Sequence, residues 1–483
     1  MKKIIYSVFI LLLFAGMGCT DDKNVYEVMP PVAPALSVSS AKVIFDADGG
    51  QKEIVVLSDI EDWSYETSAS WVTVTREGDM LVIVAEANTT SQILTSTLTV
   101  IAEREGKSAE KNILLAQATY KARNLSEDGT ANCYIVSTEN SYRFDATVRG
   151  NGNKTGDGTS GYIEAFGIQI DTSKAAYADL LWESTFEFNR SSCANVMDGM
   201  PYYDNGKIYF STGTYEGNAV IALKDGGGNI LWSWHIWVCN EQMKSSAANG
   251  YEFMDRNLGA LNNVPGDIKN RGLLYQWGRK DPFLPSGSSY GSKENEPNRQ
   301  VGNGSGKWTI EGQMPLPVTT APGNIPHSVQ YPMTFFSSYT SGVYSWYIAV
   351  KNNVACNNNL WGEEESSNGI QKSIFDPCPV GYRVPPAVAF GDLTQSETEY
   401  AANWSKAESY GRYWTGGNGD YFPFSGIILI FDGINDTGTR AYYWSTTMVP
   451  DDVYSRDLYL ASGRATIFRA GHAYGCNIRC VKE

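Results

Sequence analysis

The sequence predicts a mainly β protein of several domains, with two β-sandwich modules followed by a loop-rich α+β module. Its 483 residues suggest about two to four domains, at roughly 100–200 residues per domain. Short apolar runs recur at roughly ten-residue spacing over the first half, which is typical of small β-sandwiches. From Gly250 onward the loops lengthen and Gly, Asn and Ser become frequent. A hydrophobic content of 42% with 19% charged residues favours a packed core over disorder.

The N-terminus has the pattern of an export signal. Lys2 and Lys3 precede the apolar run IIYSVFILLLFAGM, which is too short to span a bilayer. The run ends in small residues directly before Cys19, and this ending resembles a bacterial lipobox. We therefore predict that residues 1–18 are a lipoprotein signal peptide and that Cys19 is lipidated. An ordinary signal peptide followed by a chance cysteine is the alternative.

Residues 19–35 predict an extended linker, because the segment is polar and contains several prolines. Asp21 and Asp22 resemble the acidic surface-export tag of Bacteroidetes lipoproteins. The resemblance implies a protein anchored by lipid in the outer membrane and displayed on the cell surface.

Residues 36–119 predict a first β-sandwich. Apolar runs flank the turn signals Asp48-Gly49-Gly50 and Glu77-Gly78-Asp79, and STLTV alternates with period two. Together with Trp63, Trp71 and the closing Gln117-Ala118, the segment resembles a BACON domain. That name stands for Bacteroidetes-associated carbohydrate-binding often N-terminal, so the resemblance implies sugar binding. The two tryptophans could instead belong to the core.

Residues 120–240 predict a second β-sandwich. A Gly-rich turn at 225–228 separates two apolar strands, and the second strand, ILWSWHIWV, is apolar on both faces. Such a strand is expected to be central and covered twice. His235 lies in this strand, and the sequence leaves two interpretations open for it, a buried core residue or a catalytic residue.

Residues 245–483 carry a set of short motifs between polar segments. They resemble the Fibrobacter succinogenes major paralogous domain, which is similar to C-type-lectin-like folds. The resemblance implies a compact α+β module with a large loop region, a fimbria-associated or adhesive role and no established catalysis. The motifs are DRNLGA (255–260), LYQWGRKDPF (274–283), DPCPVGYRVP (376–385), YWSTT (443–447) and RCVK (479–482).

Seven cysteines follow Cys19, and an odd number leaves at least one thiol free in an oxidising compartment. Cys378 and Cys480 both belong to motifs of the C-terminal resemblance, which implies a disulfide between them. Cys476 is a rival partner for Cys378 that the sequence leaves open.

Few sequence patterns point to catalysis or to metal or cofactor binding. The sequence contains no H-E-x-x-H and no Walker loop. His472 lies four residues before Cys476, but no other histidine or cysteine completes a zinc pattern. Glu296-Pro297-Asn298 matches half of a lectin calcium motif, yet no Trp-Asn-Asp accompanies it. We therefore predict no enzyme, metal or cofactor, and the net charge of −15 disfavours nucleic acid.

Two aromatic pairs are candidates for stacking on glycans, because aromatic faces suit sugar C–H surfaces and polar neighbours fix the hydroxyls. They are Tyr413 with Trp414 and Tyr443 with Trp444, and core packing is the competing interpretation. The predicted function is a non-catalytic surface lipoprotein that displays a lectin-like carbohydrate-binding or adhesion module to glycans or host proteins. One alternative is a structural or tip component of a fimbria assembled by strand exchange with fimbrial proteins. A more remote alternative is a glycoside hydrolase with a hidden carboxylate pair.

Overall fold

The computed structural model shows a mainly β, multidomain chain. The α-helix described in full, α1 (Asn324–Gln330), has 7 residues. Among the described residues, no helix is long and apolar enough to cross a membrane. Two sets of predictions concern residues outside the described ranges. They are those on residues 1–31, which include Cys19, and the one on Glu296-Pro297-Asn298. The structure describes residues 32–152, 166–185, 195–248, 250–287, 309–311, 324–336, 344–347, 360–363, 371–391, 404–405, 407–415, 419–429, 433–449 and 454–483.

The first module is a sandwich of two four-stranded sheets, in the orders β1-β3-β6-β5 and β2-β8-β7-β4. Alternation along β6 turns Leu81 and Ile83 into the core, whereas Val84 points outward and is 40% exposed. Gly49, at φ 77°, carries the chain from one sheet to the other, and a Cβ there would lie 2.3 Å from the carbonyl oxygen of Ala85. The strands are β1 (Leu36–Val38), β2 (Lys42–Phe45), β3 (Gly50–Ser58), β4 (Trp63–Thr67), β5 (Val72–Glu77), β6 (Met80–Ala85), β7 (Leu94–Arg104) and β8 (Lys107–Gln117).

The next part of the chain also forms two four-stranded sheets, in the orders β10-β16-β15-β12 and β13-β14-β11-β9. The inner face of β16 points to the second sheet, and the ring of Trp234 lies 5.1 Å from that of Phe144. The strands are β9 (Arg123–Asn124), β10 (Cys133–Val136), β11 (Ser141–Asp145), β12 (Ala175–Ser184), β13 (Met197–Asp204), β14 (Lys207–Thr212), β15 (Gly217–Asp225) and β16 (Ile230–Val238).

The C-terminal half contains a seven-stranded sheet, in the order β28-β27-β32-β29-β30-β31 with β19 also paired to β32. A four-stranded sheet, β17-β18-β33-β24, joins the start of this half to the last strand, and three two-stranded ribbons complete it. A single 3₁₀ turn (Ala387–Phe390) follows Pro386 and ends at Gly391. The strands are β17 (Ser245–Ala248), β18 (Tyr251–Met254), β19 (Leu274–Gln276), β20 (Thr309–Glu311), β21 (Thr334–Phe336), β22 (Gly362–Glu363), β23 (Gln371–Lys372), β24 (Tyr382–Arg383), β25 (Gly411–Tyr413), β26 (Tyr421–Pro423), β27 (Ile427–Leu429), β28 (Gly433–Asn435), β29 (Arg440–Met448), β30 (Tyr454–Ala461), β31 (Arg464–Gly471), β32 (Gly475–Asn477) and β33 (Val481–Lys482).

The second sandwich and the C-terminal half share one hydrophobic core, although the sequence predicts a domain boundary between residues 240 and 245. The outer face of β16 is covered by C-terminal chain. The hydroxyl of Ser233 donates to Asp281 at 2.7 Å, and the indole N–H of Trp237 donates to the carbonyl oxygen of Ala260 at 3.1 Å. The described parts of residues 120–483 therefore form one packing unit around this core, with a smaller second core in the C-terminal half. The first sandwich has a core of its own and touches the next module through a small cluster of Ile93, Ala116 and Tyr202.

The stretch FDPCPVGYRVPP is fixed by a buried carboxylate and a disulfide. Asp376 accepts the backbone N–H groups of Cys378 at 2.8 Å and Val384 at 2.9 Å. Burial raises the pKa of Asp376 to about 6. Cys378 is bonded to Cys480 with a Cα–Cα distance of 6.1 Å and a sequence separation of 102. Closing so long a loop stabilises the fold by about 4–5 kcal/mol in a chain-entropy model.

The shared core predicts how fragments behave. Residues 245–483 expressed alone will not unfold cooperatively, because the surface that covers β16 would be exposed to water, whereas residues 120–483 will show one sharp transition. Circular dichroism during heating checks this, with residues 32–122 as the control for an independent module. A sharp transition of the 245–483 fragment alone would contradict the shared core.

Candidate functional site

Three of the four aromatic residues predicted to stack on glycans are buried, so that prediction is wrong for them. Trp414 is 3% exposed, and Tyr443 and Trp444 are 0% exposed. Strand β29 is covered on both faces at this point, which places Tyr443 and Trp444 in two different cores. Their polar atoms are also used internally, since the indole N–H of Trp444 donates to the carbonyl oxygen of Tyr275 at 2.7 Å.

Tyr413, the fourth candidate, is half-buried at the margin of the same region. Its ring lies 5.2 Å from that of Tyr421, whose hydroxyl donates to the carbonyl oxygens of Glu408 and Ser409. Tyr413 thus packs on a tyrosine whose hydroxyl holds a turn, and it does not stand beside a second exposed ring from the predicted set.

His235 is a core residue in this structure. It is 2% exposed, and its Nε2 lies 2.8 Å from the side-chain oxygen of Asn218. Burial lowers the pKa of His235 to about 3, so the ring is neutral at physiological pH. Within the described residues, no group of three or more His, Cys, Asp or Glu side chains is arranged to hold a metal ion.

No sequence motif indicates the buried polar side chains that lie along β30 of the seven-stranded sheet. The hydroxyl of Ser455 lies 3.0 Å from Nε2 of His472, and Asp457 is two residues further along β30. All three are 0% exposed, so no substrate can reach them in this structure. Among the described residues neither carboxyl oxygen of Asp457 has a hydrogen-bond partner. The three side chains therefore do not form a catalytic relay.

The described cysteines outside the disulfide are buried thiols. Cys133, Cys239 and Cys476 are reduced, and burial raises the pKa of Cys239 to about 11. Burial also raises the thiol pKa of Cys133 and of Cys476, the rival partner of Cys378. Thiols so rarely ionised are poor nucleophiles, so these residues act as core side chains.

A groove on the first sandwich has the chemistry for a small polar ligand. Two clefts, of about 470 Å³ and about 270 Å³, meet at Ser70, Trp71 and Leu94. Trp71 directly precedes β5 and is half-buried, with an edge-on contact to Phe45 at 6.5 Å. We call the two clefts together the Trp71 groove.

The walls of the Trp71 groove contain many polar side chains, and hydrogen bonds hold part of them in place. In the larger cleft, the side-chain amide of Asn88 donates to the carbonyl oxygens of Gln92 at 2.8 Å and Ala118 at 3.1 Å, which fixes the loop after β6. The smaller cleft is closed by the second module, where Gly199 approaches β7. A Cβ on Gly199 would lie 2.5 Å from the hydroxyl of Thr95, so the close approach needs glycine.

The two tryptophans of the first sandwich have different environments. Trp63 is 3% exposed in the core, and the guanidinium of Arg76 lies 3.7 Å from its ring centre. Only Trp71 borders open space. No local signal distinguishes the two, because each tryptophan follows a polar stretch, EDW and SASW, at the beginning of a strand.

Comparisons with known proteins add little. No family model and no curated protein matches the chain. Solved structures with partial likeness include a protein from Bacteroides thetaiotaomicron, 14% identical over 18% of this chain and 88% of that chain, with a TM-score of 0.14. The E. coli chaperone DraB is 9% identical over 43% of this chain and 98% of that chain, with a TM-score of 0.20. Likenesses this weak carry no functional argument.

Asp457 should make the stability of the protein depend on pH. Burial raises its pKa to about 8 from an ordinary value of 3.8, so the folded state holds a proton that the unfolded state releases. The free energy of unfolding therefore falls as pH rises from about 4 to about 8. From about pH 7 to 8, we expect wild type to lose about 1 kcal/mol relative to Asp457→Asn in urea titrations.

Between about pH 7 and pH 8, the ionisation of Asp457 can be distinguished from that of the two buried histidines and of Asp376. Burial lowers the pKa of His235 and His472 to about 3, and both are neutral in either state above about pH 7. Asp376, with a pKa of about 6, has already ionised. Equal pH slopes for wild type and Asp457→Asn would show that the Asp457 carboxyl is ionised in the folded protein.

Proposed function

We propose that this chain is a non-catalytic carbohydrate-binding lipoprotein, anchored through Cys19 in the outer membrane and displayed on the cell surface. The Trp71 groove is the observation that carries the binding part of the proposal. The lipobox-like N-terminus and the two family resemblances described above support the localisation, the BACON-like assignment and the lectin-like assignment of the C-terminal half.

The chemistry of the Trp71 groove suits a sugar. An indole face offers an apolar platform for the C–H face of a pyranose, and hydroxyl and amide groups around it can hydrogen-bond the sugar hydroxyls. Trp71 has such neighbours on both sides, with Thr73 and Thr90 in the larger cleft and Ser96 in the smaller one. The larger cleft, of about 470 Å³, is within the usual size of small-molecule sites.

The carboxylates of the groove favour binding over hydrolysis. Glycoside hydrolysis commonly needs two carboxyl groups that face each other across one bond of the substrate. Here each cleft has a single acidic residue in its lining, Glu86 in the larger and Asp198 in the smaller. A sugar bound in either cleft would therefore meet one carboxyl group, which can accept hydrogen bonds but lacks a catalytic partner.

Replacing Trp71 tests the binding site. On a glycan array probed with the full chain, Trp71→Ala should lower binding of the recognised neutral glycan at least 10-fold, because the stacking platform is lost. Tyr177→Ala is a matched control, since Tyr177 is 38% exposed on β12 and does not line the groove. Wild-type silence on the array, together with ladders of polymer on native gels, would contradict the proposal and favour a fimbrial subunit.

Replacing Cys19 tests the anchor. In a bacterial host that is fed an alkyne fatty acid, the wild-type chain should incorporate the label and remain with the outer membrane. Cys19→Ser should lose the label and be released or retained as an unprocessed precursor. Cys239→Ser is a suitable control, because that thiol is buried in the folded protein. Equal labelling of Cys19→Ser and wild type would exclude lipidation at this residue.

A further inference from the structure

Two modules, and not the first sandwich alone, enclose the smaller cleft of the Trp71 groove. Asp198 and Gly199 belong to β13 of the second sandwich, yet they line this cleft together with Ser68 and Ser96 of the first sandwich. They reach it because the pairing of β13 with β14 shifts register between Asp198 and Tyr202, and such a bulge bends a strand away from its partner. The bulged segment of β13 therefore forms one wall of the smaller cleft.

The bulged segment is fixed against the first sandwich. Its Met200 backbone N–H donates to the hydroxyl of Thr95 on β7 at 3.4 Å. Gly199, at φ 71°, adopts the left-handed conformation that favours glycine, and it lies against the same hydroxyl. A small apolar cluster also crosses the module boundary, and it consists of Ile93, Ala116 and Tyr202. These contacts keep the wall at a defined distance from β7.

The second sandwich also holds the loop that forms a wall of the larger cleft. This loop, residues 86–93, joins β6 to β7, and residues 86–90 line the cleft. At its end, the backbone N–H of Ile93 donates to the hydroxyls of Ser141 at 3.0 Å and Ser211 at 3.1 Å. The hydroxyl of Ser141 donates in turn to the carbonyl oxygen of Ser91 at 2.8 Å. Both serines are buried in the second sandwich, so that module sets the position of the loop.

The two clefts lead away from Trp71 in different directions. They share Ser70, Trp71 and Leu94, and no other described residue lines both. The larger cleft continues along Thr73 and Val84 on β5 and β6, whereas the smaller cleft continues to the bulged segment of the second sandwich. A sugar placed on the indole therefore has space for a further sugar on each side.

The charges of the lining favour a neutral glycan. Glu86 lines the larger cleft and Asp198 the smaller one, and the described lining residues of both clefts include no Lys and no Arg. A glycan with carboxylate or sulfate groups would meet carboxylates of the same charge, which disfavours its binding. Sugar hydroxyls, in contrast, can donate to these carboxylates in charge-assisted hydrogen bonds.

We infer that the Trp71 groove is a composite site of two modules and that it binds an internal segment of a linear neutral glycan. One sugar lies on Trp71, the next lies in the larger cleft, and the preceding one lies in the smaller cleft against Asp198. This inference rests on the proposed function, because it takes the groove to be a sugar site. It adds the chain-like form of the ligand and the part that the second sandwich plays in holding it.

The dependence of affinity on glycan length tests the inference. Isothermal titration calorimetry of the full chain would use neutral β-1,4-linked gluco-, manno- and xylo-oligosaccharides of increasing length. In the series that binds, the affinity of the wild type should rise about 10-fold from disaccharide to hexasaccharide, because sugars in the second cleft add hydrogen bonds. A carboxylated series, the oligogalacturonates, should bind more weakly at every length.

Two variants address the smaller cleft without changing Trp71. Asp198→Ala removes its carboxylate, and Ser68→Tyr fills it from an exposed loop position. Each should leave disaccharide affinity unchanged and reduce the gain with length to less than about 2-fold, since the second cleft no longer adds hydrogen bonds. Asp204→Ala is the matched control, because Asp204 lies on the same strand and lines neither cleft.

The outcomes separate this inference from the proposed function. Equal wild-type affinity for disaccharide and hexasaccharide, with binding lost in Trp71→Ala, would overturn the composite site and leave the sugar-binding groove standing. A full gain with length in both Asp198→Ala and Ser68→Tyr, with folding confirmed by thermal unfolding, would also overturn it. The same holds if Asp204→Ala reduces the gain as much as Asp198→Ala does. Silence of the wild type toward all three neutral series would overturn the inference together with the binding part of the proposed function.

Discussion

Covering both faces of strand β16 is the constraint on which the rest of the structure depends. One face packs on the second sheet of its own sandwich through Trp234, and the other would expose Trp237 and the buried His235 if the C-terminal chain were absent. The C-terminal half supplies that cover with loops whose polar groups bond to the strand, so the apolar face and its hydrogen bonds are satisfied together. The described loop residues around Ala260 and Lys280-Asp281 are thus part of the core.

Aromatic residues divide into two roles in this protein. Those in strands covered on both sides, such as Trp414 and Trp444, fill cores and use their N–H groups or edges internally. Those at a strand entrance or on a sheet edge, such as Trp71 and Phe468, keep part of a ring in contact with solvent. Recognition surfaces are therefore expected where the sheets end, because there a ring can be held rigidly by the core and still meet a ligand.

The sequence predicts the elements that depend on short-range patterns. The alternation of apolar residues locates the strands of the first sandwich, and the apolar run on both faces of β16 indicates a central strand. Contacts between segments that are far apart in the chain cannot be predicted from such short-range patterns. No local sequence pattern indicates that Asp281 covers Ser233. Tyr442 and Tyr443 are neighbours in sequence, but they differ in burial because β29 alternates between a half-open face and a core. The strand register, which sets Tyr442 beside Tyr459, is likewise fixed by pairing partners that are distant in sequence.

The last strand has a consequence for the order of assembly. β33 lies between β18 and β24, Arg479 bonds to Asn257 at 3.0 Å, and Cys480 closes the disulfide to Cys378. The final five residues therefore complete contacts that begin more than two hundred residues earlier. The first sandwich can therefore complete its core from residues 36–117, which precede the larger unit along the chain. The larger unit cannot complete its sheets until residues 479–483 have joined segments that are far earlier in the sequence.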